Sequence, residues 1–372
     1  MLTLKSSVLR SVRQLTAVLT SLAAYGIAAA DVDWAGGVTT VYQHAGDSRV
    51  ESELTASADL FATIARPAGE WLIYIEASSS PNPNGVSAFY PTVNGDARSV
   101  LTRNGSGGIQ ISEANYTFYL HDSRTLMVGL IDPSAWLDRG RIANDENIHF
   151  LNGSFVNNAT IEFPDYTLGG VLRILGNQSR PELTLILAGS DGIADLPDRS
   201  YQDLLDLTSE ERGVFLGAGA SWLYDRTSWR IGAWLRTDDH VIAGSEEATE
   251  TNHGLYGVYG WQAGANALNV RFGIANSDVA IADRFAGVAY QRKTRIGLFG
   301  IGVARTYISS VFREPGRGNA LDSEIYLRVP VFGETGHITP SIQYIENPGF
   351  EAASSVSRSS AVVASIRLHW AF

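Results

Sequence analysis

The chain has 372 residues, no cysteine, and 28 Lys and Arg against 39 Asp and Glu, a formal net charge of −11. The acidic balance and the lack of any basic run exclude nucleic acid as a natural partner. The missing thiols exclude disulfides and thiolate metal sites, and no apolar run of about 18 residues follows residue 30, which excludes a transmembrane helix there but not barrel strands.

Residues 1–30 have the plan of a cleaved signal peptide. Lys5, Arg10 and Arg13 make a basic start, Leu15 to Ala30 is apolar and small, and an A-x-A pattern precedes Asp31. The apolar part is shorter than the ~20 residues a membrane-spanning helix needs. Residues 31–372 are then read as one domain, more acidic still, since the leader takes three basic residues and no acid with it.

From Trp34 onward the signal is alternation, which on a strand separates two faces. "LTASADLFATI" sets Leu54, Ala56, Ala58, Leu60, Ala62 and Ile64 against Thr55, Ser57, Asp59 and Thr63. "EWLIYIE" sets Trp71, Ile73 and Ile75 against Glu70, Tyr74 and Glu76. "SWRIGAWLR" sets Trp229, Ile231, Ala233 and Leu235 against Arg230, Gly232, Trp234 and Arg236. "LNVRFGI" and "DSEIYLRVPVF" repeat the pattern, with Asn269, Arg271, Asp322, Glu324, Tyr326 and Arg328 on the polar side. About 16 such segments occur, an even number of the kind bacterial single-chain barrels show. They begin near Trp34, Glu51, Glu70, Ile109, Arg124, Thr167, Pro181, Gly213, Thr227, His253, Ala267, Arg284, Ile296, Leu321, Gly336 and Ser359. The segment from Thr167 is weakly patterned, and the one from Ile296 fits either parity.

The links alternate. Short turns are read at "RPAG", "HDSR", "GNQSR", "LYDRT", "AGANA", "KT" and "FGETG". Long polar links are read at 79–108, Pro133 to Tyr166, Ser190 to Arg212, "TDDHVIAGSEEATETN" and "SSVFREPGRGNA". Such alternation predicts an all-β, transmembrane, antiparallel up-and-down β-barrel with short periplasmic turns and long extracellular loops. Within Ser190 to Arg212, the spacing of Tyr201, Leu204, Leu205 and Leu207 predicts a short helix capped at Asp198 or Ser200.

The chain ends "SIRLHWAF", with Val362, Ala364, Ile366, Leu368, Trp370 and Phe372 on one parity and Ser365, Arg367 and His369 on the other. The expectation is a lipid-facing last strand that closes the barrel against the first. Trp71, Trp370 and Phe372 are assigned to the aromatic girdles.

No motif for catalysis appears. The seven histidines match no metal-ligand spacing and no G-x-S-x-G elbow is present. The chain is therefore read as no enzyme, without cofactor or metal, and acid-rich runs such as "DENIH" as solvated loops. On the inward parity, Asp59, Tyr74, Glu76, Arg230, Trp234, Arg236, Arg271, Glu324, Tyr326, Arg328, Gln343, Arg367 and His369 offer donors, acceptors and apolar planes, the three things a pyranose needs.

Two stretches carry a resemblance. "ITPSIQYIENPGF", through Gln343, Tyr344, Asn347, Pro348 and Gly349, resembles a late-strand signature of the OprB-type carbohydrate-selective porins of bacterial outer membranes. "SEANYTFYL…TLMVGLIDPSAWLD…FLNGSF", through Leu130 to Asp132 and Phe150 to Phe155, resembles another part of that family, and "YGVYGWQ" and "RFAGVAYQRK" are similar to its members. The resemblance implies a 16-stranded, trimeric porin passing small sugars by diffusion. It implies a constriction of arginines with acidic and aromatic partners, and a terminal Phe read by the barrel-assembly machinery. Outer-membrane lipids and lipopolysaccharide would surround it.

The link Pro133 to Tyr166 departs from the family in length and composition. It is expected to fold inward, offering Asp138, Arg139, Arg141, Asp145 and Glu146. Arg230, Arg236, Arg271, Arg328 and Arg367 would face it, with Glu324 beside them and Trp234 or Tyr326 as the sugar platform. The alternatives are a general or ion-selective porin, or a structural barrel with a blocked lumen.

Overall fold

A computed structural model describes residues 32–177, 179–193, 201, 204, 212–245, 247–313, 318–333, 335–348 and 360–372. The leader and most of the helix expected at 198–207 lie outside these residues. No helix among the described residues is long and apolar enough to cross a membrane.

Alternation becomes sixteen antiparallel strands. They are β1 (Val32–Ala45), β2 (Glu53–Arg66), β3 (Gly69–Ser78), β4 (Ile109–His121), β5 (Arg124–Ile131), β6 (Thr167–Ile174), β7 (Glu182–Gly189) and β8 (Val214–Leu223). The second half is β9 (Thr227–Val241), β10 (Thr249–Ala263), β11 (Asn266–Ala275), β12 (Ala282–Lys293), β13 (Leu298–Ile308), β14 (Ala320–Phe332), β15 (Gly336–Glu346) and β16 (Ser360–Ala371). Each strand pairs with its sequence neighbours, and β1 pairs with β16 from Gly37↔Ala371 to Ala45↔Val363, closing the barrel. Reciprocal backbone hydrogen bonds between Gly36 and Phe372 extend that seam.

The parity is as expected. On β16, Val362, Ile366, Leu368 and Trp370 are exposed, whereas Ser365, Arg367 and His369 are buried. On β9, Trp229 and Ile231 face out and Trp234 and Arg236 face in. β13 resolves its ambiguity with Ile301 and Val303 outward. The outward face is a continuous apolar wall, far beyond the patches monomeric soluble proteins expose, so its solvent is lipid. Trp71, Trp229, Trp370 and Phe372 project outward near the short-turn rim, where Trp71 packs on Tyr116 and Trp229 on Tyr259.

The links alternate in side and in length, each link of one rim being longer than its neighbours on the other. One rim carries the seven short turns. The other carries links from 276–281 to 132–166. "TDDHVIAGSEEATETN" is largely strand: β9 and β10 run 15 residues each and leave only 242–248 as a link. Their hairpin continues beyond the rim because polar, β-compatible residues still pair there, although the apolar alternation that marks a strand in the sequence has stopped.

The lipid face gives a first prediction. Ile342, mid-way along β15, is 55 % exposed on the outer wall. Ile342→Arg should cost about 2–4 kcal/mol if it sits at the bilayer midplane. Urea titration of vesicle-folded protein, read by gel mobility, checks it. Unchanged stability would show that this face does not meet lipid.

Candidate functional site

The link 132–166 leaves the top of β5 and folds into the barrel. Two Asx caps shape it: Asp132 accepts from the Ser134 N–H at 2.8 Å, and Asn152 from the Ser154 N–H at 2.9 Å. Its apolar residues then pack on the inward faces of β8–β14. Leu137 and Ile161 bury with Phe215, Trp234 and Tyr256, and Ile142, Phe150 and Phe155 bury with Phe285, Ala289 and Tyr326. Gly302 on β13 permits this approach. A Cβ there would meet the Phe155 and Phe150 rings at 2.6 and 2.9 Å.

A loop with little regular structure must still satisfy its backbone. Here the wall arginines do so. Arg230 donates to the carbonyls of Trp136 (2.6 Å) and Leu137 (2.7 Å). Arg271 donates to those of Phe155 (2.6 Å), Val156 (2.7 Å) and Asp138 (2.9 Å). Arg328 donates to Ile148 (2.5 Å), and Arg367 to His149 (2.7 Å) and Glu146. Wall acids take the opposite role: Glu324 accepts from the Leu151 (3.1 Å) and Asn152 (2.9 Å) N–H groups. Arg236 is held by Asp238 (2.7 Å), Glu162 (2.9 Å) and Asp191 (3.2 Å).

So the predicted arginines do face the loop, but their donors end on its backbone and on carboxylates. Trp234 and Tyr326 lie beneath the loop, each 2 % exposed. Of the loop residues, Asp138 is buried beside Arg271 at 3.3 Å. Burial pushes its carboxyl up to about 6, with Arg271 and Arg230 opposing. Arg141 reaches the β8–β9 turn, donating to Tyr224 O at 2.7 Å. Arg139 is exposed, Glu146 is half-buried, and Asp145 caps its own turn by accepting from Asn147 and Ile148.

Asp59, Tyr74 and Gln343, expected on the inward row, meet residues the sequence reading did not single out. The loop tip reaches the β1–β2 wall, where Thr39 Oγ1 donates to Asn147 Oδ1 at 2.6 Å and Asn147 Nδ2 donates to Asp59 Oδ2 at 3.4 Å. Tyr74 donates to Asp59 Oδ1 at 2.7 Å, and its ring stacks on Phe61 at 4.2 Å. The link 79–108 covers the loop from the long-link side. Gln43 and Gln343 both donate to Val93 O, and Asp96 accepts from Ser57 Oγ at 2.7 Å. Phe61 was visible as the one ring in the polar row of β2. Asn147 carried no signal, being one Asn in an irregular link.

These features define a wall of sixteen strands narrowed by an inward third loop. Over nearly the whole chain the fold recurs in solved structures. The fold is that of the bacterial porins. Pseudomonas putida OprB is 14% identical with a TM-score of 0.70, covering 96% of this chain and 97% of that one. Salmonella typhi OmpF, solved with daunomycin, is 8% identical with a TM-score of 0.61, covering 92% and 98%. The trimer form of Vibrio cholerae OmpT is 11% identical with a TM-score of 0.56, covering 92% and 100%. No protein-family model matches the chain, and no curated protein matches it.

Two predictions follow from the loop anchors. Arg271→Ala leaves three carbonyls and the buried Asp138 without their partner, a loss of about 3–5 kcal/mol for a broken buried pair. The loop should loosen, and open-channel conductance should rise with the barrel intact. Unchanged conductance would show that Arg271 does not hold the loop.

Asp96 is 5 % exposed, and burial raises its carboxyl to about 7 against the Ser57 hydrogen bond. A raised carboxyl stabilises the seated link at low pH, and that contribution is lost as pH climbs from about 4 through 7. Hydrogen exchange in 86–100, corrected for intrinsic rate, should therefore quicken from pH 6 to 8 in the unaltered protein but not in Asp96→Asn. Equal pH dependence in both would dissociate the effect from Asp96.

Proposed function

We propose that this protein is a bacterial outer-membrane channel through which small sugars diffuse passively, selected at the constriction made by residues 132–166. The observation that carries the proposal is the loop anchored inside the barrel, narrowing a lumen whose remaining wall offers aromatic planes beside hydrogen-bonding groups. The shared fold with OprB along nearly the full length supports it, as does the "QYIENPG" resemblance. The closed wall and the porin-like neighbours support a channel rather than an enzyme.

In this proposal the short turns face the periplasm and the long links face outward. The apolar wall meets outer-membrane lipids and lipopolysaccharide, and three copies assemble, as in the trimer form of the Vibrio protein. The last strand, with Trp370 and Phe372 at its end, is what the assembly machinery would recognise. Gln343 and Asn152, bonded to each other at 3.0 Å, tie both resembling motifs to the loop, so these motifs act by fixing the constriction. The second reading is a general diffusion porin, which the likeness to OmpF favours.

Single-channel conductance in a planar bilayer separates the two. Open steps with saturable block by glucose or maltose, and none by a neutral non-sugar of similar size, are expected. Open steps without sugar block would establish the general porin.

A further inference from the structure

We propose that the sugar platform of this channel is the stacked pair Phe61–Tyr74, with Asp59 as its hydrogen-bond acceptor and Asn147 as the loop group that faces it. This rests on the sugar reading above and names the site within it.

The pair arises from register. Phe61 and Tyr74 are direct cross-strand partners on β2 and β3, and their rings lie 9° from parallel at 4.2 Å. Both belong to the inward row. Phe61 shares it with Ser57, Asp59 and Thr63, which leaves an apolar ring among polar neighbours. Neither ring belongs to the buried apolar clusters that seat the loop, and both are half-buried. An aromatic pair that packs into no core and keeps surface toward a water-filled lumen is available to a ligand. Tyr166, at the end of the inward loop, meets Tyr74 edge-on at 6.2 Å and fixes one border of the platform.

The acceptor is fixed as well. Asp59 forms no ion pair among the described residues. It takes one hydrogen bond from Tyr74 and one from Asn147. A carboxylate has about four acceptor positions, so two remain for hydroxyl donors. Asn147 is oriented by Thr39, which occupies its carbonyl oxygen. Its amide nitrogen carries two protons, of which Asp59 takes one. The unused acceptors of Asp59 and the second N–H of Asn147 adjoin the ring stack. A pyranose can lay its C–H face on the rings and direct edge hydroxyls to Asp59 and Asn147. Trp234 and Tyr326 cannot serve, because the loop covers both.

The test compares maltose block in planar bilayers for the unaltered channel, Phe61→Leu, Phe61→Tyr and Asp59→Asn, each first shown to fold by its heat-resistant gel band and KCl conductance. Loss of an aromatic contact or of a charge-assisted hydrogen bond is expected to raise the half-blocking concentration about tenfold in Phe61→Leu and Asp59→Asn. The KCl conductance of Phe61→Leu should stay within about twofold, since no loop anchor involves Phe61. Phe61→Tyr keeps the plane and should keep the block. If the unaltered channel is blocked and Phe61→Leu and Asp59→Asn are blocked equally well, the platform lies elsewhere and the sugar reading stands. If the unaltered channel shows no sugar block, the sugar reading and this platform both fall.

Discussion

The structure depends on one interaction, the guanidinium of a wall arginine donating to backbone carbonyls of the inward loop. Residues 132–166 hold only two short 3-10 turns, Pro133–Ala135 and Gly153–Phe155. Most of their carbonyls find no partner within the loop itself. A link of this length without regular structure is uncommon in a compact domain, and it holds one path only if its polar groups are met from outside. Arginine suits the task because its flat fork spans two carbonyls at once, as Arg230, Arg271 and Arg367 each do. Bonds from a charged donor contribute about 1.5–3 kcal/mol each. A lysine at these positions would offer a point charge on a flexible stem.

That clamp makes the lumen asymmetric. From β8 to β14 the loop and wall form a core like that of a soluble protein, with the Phe150 ring against Phe155 at 4.6 Å and Tyr326 at 5.0 Å. The wall at β2 and β3 instead meets the loop at its tip, through Asn147, and at its end, where Tyr166 stands edge-on to Tyr74. The platform proposed above lies on this side, where the arginines are absent. The basic row sets where the loop runs, and the loop position sets what the opposite wall presents.

The difference explains what the sequence revealed. Strands and their parity were legible because a period of two with lipid outside leaves a repeated mark, down to the faces of Arg271 and Arg367. The starts of most strands fell within a few residues. The inward course of the loop and the arginines facing it were expected from the porin reading, but the backbone groups those arginines meet were not, since an irregular segment carries no period. An inward arginine reads the same in sequence whether its donors meet a sugar or a carbonyl. Likewise Trp234 and Tyr326 show an inward parity that says nothing about a loop lying over them. Phe61 left a readable trace, an apolar ring out of place in a polar row, which gains meaning only beside its register partner Tyr74.

Barrel closure and constriction are also one event. The seam between β1 and β16 brings Thr39 against His369 at 2.9 Å and places Gln43 beside Ser365 at 3.1 Å. Thr39 holds the loop tip, Arg367 holds Glu146 and His149, and Gln43 holds Val93 in the covering link. These groups stand more than 300 residues apart in sequence across the seam. Contacts of such separation carry the loop-closure cost before they return any stability. Until β16 docks, the tip at 145–149 lacks its contacts with Arg367. An open sheet could hold the loop by Arg230, Arg271, Glu324 and Arg328, but without the contacts of Arg367. Closing the seam thus supplies Arg367 on β16 as a further anchor of the aperture.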